Sequence, residues 1–388
     1  MSRSCKLGST RCVSPWGPKA SRRPNCWSLL LAIALLVVGV GGCSSPDPAA
    51  FIQYTSEVVL PGVVAKPNAI ARMPNGDFVV AGTIGAGWAA ATDAHGKLLW
   101  QYLVPREERP PYSTSSEFLD VVPLANGNVL LCGTIYQYHP PQENGYLVIL
   151  DAAGHLVEER RLFPKDDRQY FGNVFNDCVS WNDGVAVIGH TTAQPMRGYG
   201  WITKLDGTGR KLWELIDEHV GGLKAVAMPY GLVTSGVELS LVSPEGKLTV
   251  HRALDDSVNL LRPLQPDGVV RFITYRPEGA TLHLLDRNLA ELQVHKIGYV
   301  RIQQGVGYVL RDNSIALFGN VHLPDGTFTA AVGHFTSQGA ALAERTIGVR
   351  NGAVTVRDAL SLTGNDFVAV RDQTTDAQHV VLTWITLK

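Results

Sequence analysis

Side chains able to do covalent or coordination chemistry are sparse in this chain, which carries six cysteines and eleven histidines. The histidines are scattered, with no His-x-His or His-Glu-x-x-His pair that one strand or helix face could aim at a metal. No Gly-x-Ser-x-Gly elbow raises a serine nucleophile, and Gly85-Ala86-Gly87 lacks the strand-to-helix context of a phosphate loop. No catalytic residue, metal ligand or cofactor is therefore expected, and scattered Asp and Asn residues read as turn formers. The cysteine in a distinctive setting is Cys43. It follows Val40-Gly41-Gly42, which close an apolar run beginning near Ser28. Ahead of that run, Arg3, Lys6, Arg11, Lys19, Arg22 and Arg23 stand without any acid, the charge pattern of a segment held on the cytoplasmic side. The apolar stretch is shorter than the roughly 20 residues a helix needs to cross a bilayer.

An apolar core ending in small residues and then cysteine resembles the lipobox of bacterial lipoprotein signal peptides. The resemblance implies that residues 1–42 are a signal peptide, cleaved just before Cys43, and that Cys43 is lipidated on sulfur. An uncleaved signal anchor is the competing reading. A single acyl chain binds a membrane marginally while two or more hold it stably, so a multiply acylated Cys43 is a firm tether to the cell envelope. Ser44 in place of Asp resembles outer-membrane sorting, which implies a protein facing the periplasm. Residues 43–50 are then the lipidated cysteine and its linker, Ser44 to Ala50.

Without the leader, the chain keeps 28 basic against 35 acidic residues, a net charge of −7. That argues against nucleic-acid binding, which depends on a basic face. Cys132 and Cys178 are the remaining thiols. In an oxidising compartment they can pair as a disulfide, but both sit in apolar strand-like stretches, Val129–Cys132 and Phe175–Val179, and two separate buried thiols is the favoured reading.

Beyond the linker, the chain repeats at intervals of roughly 37 to 57 residues, the range of propellers and helical arrays. Each unit carries a turn rich in Asn, Asp and Gly, a short apolar run, and a small-residue stop. Pro74–Gly82 and Ala125–Gly133 are the clearest copies. Others begin at Asn182, Tyr230, Pro266, Asp312 and Gly364. Tight Asn-Gly or Asp-Gly turns between apolar runs are a strong hairpin signal. A second signature places an acid and a glycine three residues on, as in Asp93-Ala94-His95-Gly96, followed by Trp100, and Asp206-Gly207-Thr208-Gly209, followed by Trp213. Weaker versions pair Asp151 with Gly154, Ser243 with Gly246 and Thr336 with Gly339. The Asp side chain caps the turn, the glycine supplies positive φ, and the tryptophan ring can pack between neighbouring sheets. No helix-length periodicity occurs.

These patterns predict an all-β domain over residues 51–388, a β-propeller of about seven four-stranded antiparallel blades, with six or eight left open. The last unit, from Ala353 to Leu387, is one strand short, and Phe51–Leu60 is a strand with no unit of its own. Pairing the two completes a blade, closes the ring and removes exposed edges. The two Asp-x-x-Gly-x-x-x-Trp turns, ending at Trp100 and Trp213, resemble the repeats of pyrroloquinoline-quinone-type, quinoprotein-like propellers, although one residue shorter. Quinoprotein dehydrogenases also need a vicinal disulfide, and no adjacent cysteines exist here. The lipid anchor joined to such blades further resembles the propeller lipoprotein of the outer-membrane β-barrel assembly machinery.

Loops carry function in such architectures. The longest, Pro105–Ser113, Tyr136–Asn144 and Phe163–Phe171, mix tyrosine, arginine and proline, a composition favoured at protein contacts. Tyr112, Tyr138 and Tyr170 are the candidate partner contacts. The leading expectation is a membrane-anchored, non-enzymatic interaction scaffold of the envelope, bound to the membrane by its lipid and to an envelope protein by its loops. The alternatives are an immunity or inhibitor lipoprotein, and a propeller enzyme acting on sugars or using a quinone.

Overall fold

Short apolar runs separated by Asn-Gly, Asp-Gly and Asp-x-x-Gly turns yield strands throughout the computed structural model, which describes residues 52–105, 108–109, 112–138, 141–164, 170–193, 197–236, 238–254, 256, 258–276, 279–298, 302–323, 327–347, 353–374 and 378–388. No helix occurs among them. The leader, Cys43 and the linker fall outside the described residues. β1 (Ile52–Val64) precedes an antiparallel quartet of β2 (Lys66–Arg72), β3 (Phe78–Thr83), β4 (Gly87–Thr92) and β5 (Leu98–Leu103). After the two-residue β6 (Glu108–Arg109), which pairs with β7, come β7 (Tyr112–Pro123), β8 (Val129–Tyr138), β9 (Pro141–Leu150) and β10 (Leu156–Leu162). The next quartet is β11 (Tyr170–Trp181), β12 (Gly184–Ala193), β13 (Arg197–Asp206) and β14 (Lys211–Asp217). It is followed by β15 (Lys224–Met228), β16 (Gly231–Ser235), β17 (Glu238–Val242) and β18 (Leu248–Ala253).

β19 (Val258–Pro263), β20 (Val270–Arg276), β21 (Gly279–Leu285) and β22 (Glu291–Gly298) share an eight-stranded sheet with β23 (Ile302–Val309), β24 (Ile315–His322), β25 (Phe328–Phe335) and β26 (Ala341–Thr346). The two halves join where β19 runs parallel to β23. Last come β27 (Ala353–Thr363), β28 (Asp366–Thr374) and β29 (Gln378–Leu387), in a sheet of order β1-β29-β28-β27. The first strand thus lies antiparallel to the last, with Ile52 opposite Leu387 and Val58 opposite Leu382.

Four consecutive junctions, from the β2 quartet to the β19 quartet, are tied through their turns. In the turn between β4 and β5, Asp93 Oδ1 accepts the backbone N–H of His95 and of Lys97, both at 2.9 Å. Those amides hold the carboxyl below its ordinary range. Asp206 is arranged alike and, with the Thr208 hydroxyl as its main support, is held down at about 2. A further turn of this kind, unmarked by glycine, joins β21 to β22: Asp286 accepts from Asn288 and Ala290, and Leu289 takes φ 58°. The tryptophans dock on these turns. Trp100 Nε1 donates to Ala152 O (3.0 Å) and Trp213 Nε1 to Pro244 O (3.1 Å), each in the turn of the following quartet. Arg160 and Arg252 use the same route, donating to the carbonyls of Gly209 and Leu289.

Apolar clusters fill the spaces between consecutive quartets. Phe118 and Tyr146 pack with Val79, Ala81 and Ala89, while Phe175 and Trp201 pack with Leu130 and Cys132. Leu60, Ile70, Val80 and Trp88 pack with Val368, Val370 and Leu382, from opposite ends of the chain. Each such fully buried side chain is worth about 1.5–3 kcal/mol. A charge is buried here too. Arg371 of β28 is fully buried, donates to Thr383 Oγ1 on β29 (3.0 Å), and reaches across it to ion-pair with Glu57 of β1.

Register shifts on the first strand of several quartets explain the small-residue stops. Opposite the bulges near Asn68, Leu119 and Asn176, a Cβ on Gly82, Gly133 or Gly189 would stand 2.1, 2.0 or 1.9 Å from a neighbouring carbonyl oxygen. Only glycine fits.

The docked ring and the buried charge each set a measurable stability difference. Gly246 (φ 80°) would bring a Cβ within 2.7 Å of the Trp213 ring, whereas Gly127 (φ 84°) has nothing within 4 Å. Gly127→Ala is expected to cost about 1 kcal/mol for its backbone conformation, and Gly246→Ala at least about twice that, by urea unfolding. Equal costs would show that the ring contact is immaterial. Glu57→Ala leaves the Arg371 guanidinium buried without its carboxylate and is expected to cost about 3 kcal/mol. A loss under about 1 kcal/mol, the range of an exposed pair, would show that Arg371 has other means of neutralisation.

Candidate functional site

Bulges on the first strands also turn polar residues toward the neighbouring quartet. Asp120 of β7, Asp177 of β11 and Asp358 of β27 each follow such a shift. One carboxylate oxygen of each accepts a backbone N–H of another quartet: Cys178 (2.9 Å), Ala225 (2.7 Å) and Ile70 (3.1 Å), respectively. Asn68 and Asn176, at the shifts themselves, donate to the carbonyls of Phe118 (2.8 Å) and Gly222 (2.7 Å).

Two cations complete this group. Lys224 Nζ lies 3.2 Å from Asp177, and Arg262 bridges Asp177 (4.0 Å) and Asp358 (3.4 Å). Asp177 and Asp358 are buried while Lys224 keeps half its side-chain surface accessible. Asp120, Asp177, Asp358 and Arg262 border a cavity of about 320 Å³ that also meets Ile70, Cys178 and Ala225. Burial, then the neighbouring Asp177, drives the Asp120 carboxyl well above its ordinary range. Against the same burial, Lys224 and a hydrogen bond from Asp120 keep Asp177 below its own. Asp120 is thus the more readily protonated member of the pair, and its two oxygens accept the backbone N–H of Val121 (2.7 Å) and of Cys178. Each carboxylate already spends an oxygen on the backbone of another sheet, so the group acts first as a fastening.

A second recess, of about 330 Å³, opens between the β2 and β7 quartets at the opposite end from the Asp-x-x-Gly turns. Tyr136 and Tyr138 stand edge to face beside it, with ring centroids 4.7 Å apart. Thr83, Ser115, Glu117, Thr134 and Glu143 contribute its polar lining. Tyr138 is exposed, and its hydroxyl lies 3.4 Å from Ser115 Oγ. Of the tyrosines singled out from the sequence, Tyr112 begins β7, Tyr138 ends β8 and Tyr170 begins β11, which sets all three at the same end of their sheets. The side chains of Tyr112 and Tyr170 lie outside the described residues. Sequence reasoning missed Tyr136, although an aromatic two residues before Tyr138 on a strand must share its face.

Cys132 and Cys178 are both free and buried within one apolar cluster between the β7 and β11 quartets. Burial above all raises both thiols, and they sit close enough to hydrogen-bond to each other. Thiols in such a setting are poor nucleophiles. The fold also gathers His219, Glu238 and His251, far apart in sequence, into one set of donor atoms.

The raised Asp120 carboxyl has a pH signature. A carboxyl raised on folding contributes stability below its unfolded value, about 3.9, and that contribution is lost as pH rises through the raised value. Asp120→Asn keeps a donor and removes the loss, so its unfolding free energy is expected to gain on wild type between pH 5 and pH 8. Asp177→Asn instead removes the anion that both cations share and is expected to cost about 3 kcal/mol at pH 7. Parallel pH profiles for wild type and Asp120→Asn would contradict this protonation.

No family model matches the chain, and no curated protein does. Solved structures do. The WD40 β-propeller domain of Doa1 matches 87% of this chain and 97% of its own at 11% identity, with a TM-score of 0.54. BBS1N, solved in complex with ARL6DN, matches 87% of this chain and 97% of its own at 10% identity and a TM-score of 0.53. Raptor from Chaetomium thermophilum matches 88% of this chain over 29% of its own length, at 11% identity and a TM-score of 0.54. At such identities the likeness shows the fold alone: the four-stranded antiparallel sheets of this chain are those of a β-propeller-like protein.

Proposed function

We propose that this protein is a lipid-tethered interaction scaffold of the bacterial cell envelope, and that its sheets form a seven-bladed propeller closed by β1. The closure reading rests on three contacts between the chain's ends: the β1–β29 ladder, the Asp358–Ile70 hydrogen bond, and the apolar cluster joining Leu60, Ile70 and Trp88 to Val368 and Leu382. The tether reading rests on the basic leader, its apolar run and Val40-Gly41-Gly42-Cys43, with cleavage after residue 42 and acylation of Cys43. Such a chain enters its domain through β1, and the linker allows a reach of about 25 Å at full extension. The two Asp-x-x-Gly-x-x-x-Trp turns, each with its tryptophan docked on the next quartet, support a repeat of quinoprotein-like type.

The observation that carries the scaffold reading is the Tyr136–Tyr138 pair over a polar recess, with Tyr136 half-buried and Tyr138 exposed. It stands at the sheet ends from which the long, tyrosine-bearing connections Pro105–Ser113 and Phe163–Phe171 also depart. Tyrosine buries a large rigid surface and keeps a polar tip, which suits it to the centre of a protein contact.

The test uses crosslinking in intact envelopes. Tyr136→Ala combined with Tyr138→Ala is expected to cut recovery of the crosslinked partner about tenfold while leaving the melting temperature within a few degrees, because exposed side chains away from structural features contribute little to stability. Full recovery would exclude this face as the contact. Cys43→Ser is expected to shift the protein from the membrane to the soluble fraction with its fold intact. Retention in the membrane would refute the lipid tether.

A further inference from the structure

Three side chains from separate segments of the β15 quartet converge at its outer edge. His219 comes from the connection into β15, Glu238 opens β17, and His251 lies on β18. The imidazoles stack with centroids 4.2 Å apart and planes 24° apart. Their Nδ1 atoms approach the two oxygens of a single carboxylate, His219 to Glu238 Oε1 at 3.2 Å and His251 to Oε2 at 2.7 Å. One donor atom from each of the three residues lies within 4.8 Å of the other two. We propose that His219, Glu238 and His251 form a binding site for a divalent transition-metal cation, with zinc as the best fit.

The donor set selects the metal class. Two imidazole nitrogens and one carboxylate suit zinc and its neighbours, whereas magnesium and calcium require oxygen donors. Zinc held at about 2.0–2.2 Å by tetrahedral ligands separates them by about 3.3 Å. The 3.2 Å between His219 Nδ1 and Glu238 Oε1 already meets this, whereas His251 faces the other oxygen, Oε2, and its ring must swing out of the stack to aim its nitrogen at the same ion. Both imidazoles keep more than two-fifths of their side-chain surface accessible, so a cation can enter and a fourth position remains open to water.

The surroundings hold the ligands in place. Asp217 Oδ1 accepts the His219 N–H at 2.8 Å, and the Ser240 hydroxyl donates to the His219 carbonyl while accepting from Gly221 N (3.2 Å). The carboxylate of Glu218 stands 3.9 Å from His219 Nε2, on the side away from Glu238, and is itself paired with Arg197. At that distance Glu218 makes no hydrogen bond to the ring, so it contributes only negative potential near the site. Binding exchanges any Nδ1 protons for the cation and leaves both imidazoles neutral.

The experiment titrates zinc into the full chain, treated with iodoacetamide so that accessible thiols do not compete, against a chromophoric chelator. One equivalent is expected to bind. His219→Ala, His251→Ala and the shape-preserving Glu238→Gln are each expected to weaken it about tenfold or more, while His322→Ala, remote from the site, leaves it unchanged. Cobalt is expected to give the visible absorption of a tetrahedral nitrogen- and oxygen-ligated ion. Failure of the wild-type chain to bind zinc would overturn the site irrespective of how any variant folds. So would undiminished binding in the folded variants, or magnesium binding as tightly as zinc.

Discussion

A guanidinium with no access to water sets the terms for the ends of this chain. Arg371 sits within the last sheet, and the carboxylate that neutralises it belongs to Glu57, on the first strand. An unpaired charge at that depth costs several kcal/mol, so the last sheet is electrostatically incomplete until a residue from the far end of the chain arrives. The backbone ladder between β1 and β29 gives that arrival a register, and Thr383, on the strand between, takes a further hydrogen bond of the same guanidinium. Closing so long a loop is slow and entropically costly. The pairing therefore ties the stability of the last sheet to the first strand.

The same logic of borrowing from a neighbour runs through the rest of the fold. Trp100, Arg160, Trp213 and Arg252 each place a donor on the carbonyl of a following turn, and Asp120, Asp177 and Asp358 each accept an amide from another sheet. Apolar packing between sheets is non-directional. It tolerates sliding, whereas these polar contacts hold one offset. Fastening also accounts for a group of ionisable residues that resembles catalytic machinery by composition. Its carboxylate oxygens are largely committed to the backbone. At the opposite sheet ends, Tyr136 and Tyr138 flank a recess whose Glu117 and Ser116 share in this fastening, accepting from Asn68 and Gly87 of the neighbouring quartet, while the Tyr138 ring stays exposed. The cation site lies elsewhere again, on the edge of the β15 quartet, so that a metal there acts on a part of the surface separate from the tyrosine face.

Much of the fold was legible because its turns are local. Asn-Gly and Asp-x-x-Gly sequences specify φ and capping within four residues, and the apolar runs between them have strand length. Where the same turn is built without glycine, at Asp286–Leu289, the pattern is silent, since the capping aspartate is common and a leucine at positive φ is not a signal anyone reads. The tryptophans were legible as sheet-packing residues, but their acceptors were not, because Ala152 and Pro244 contribute carbonyls, which every residue has. Tyr138 could be found from loop composition, and Tyr136 from strand alternation once the strand was known.

By itself, the sequence determined a strand-only domain built from hairpins of one recurring type, an acidic balance, and a basic, then apolar leader that ends at a cysteine. Those properties follow from short-range steric and electrostatic preferences, which a string of residues displays openly. The tertiary structure alone decided which distant groups meet: Glu57 with Arg371, Asp120 with Asp177 and Lys224, and His219 with Glu238 and His251. One-residue bulges and sheet offsets control these meetings. A shift of a single residue turns a side chain to the other face of its strand, and no local pattern records which shift the packing of neighbouring sheets will select.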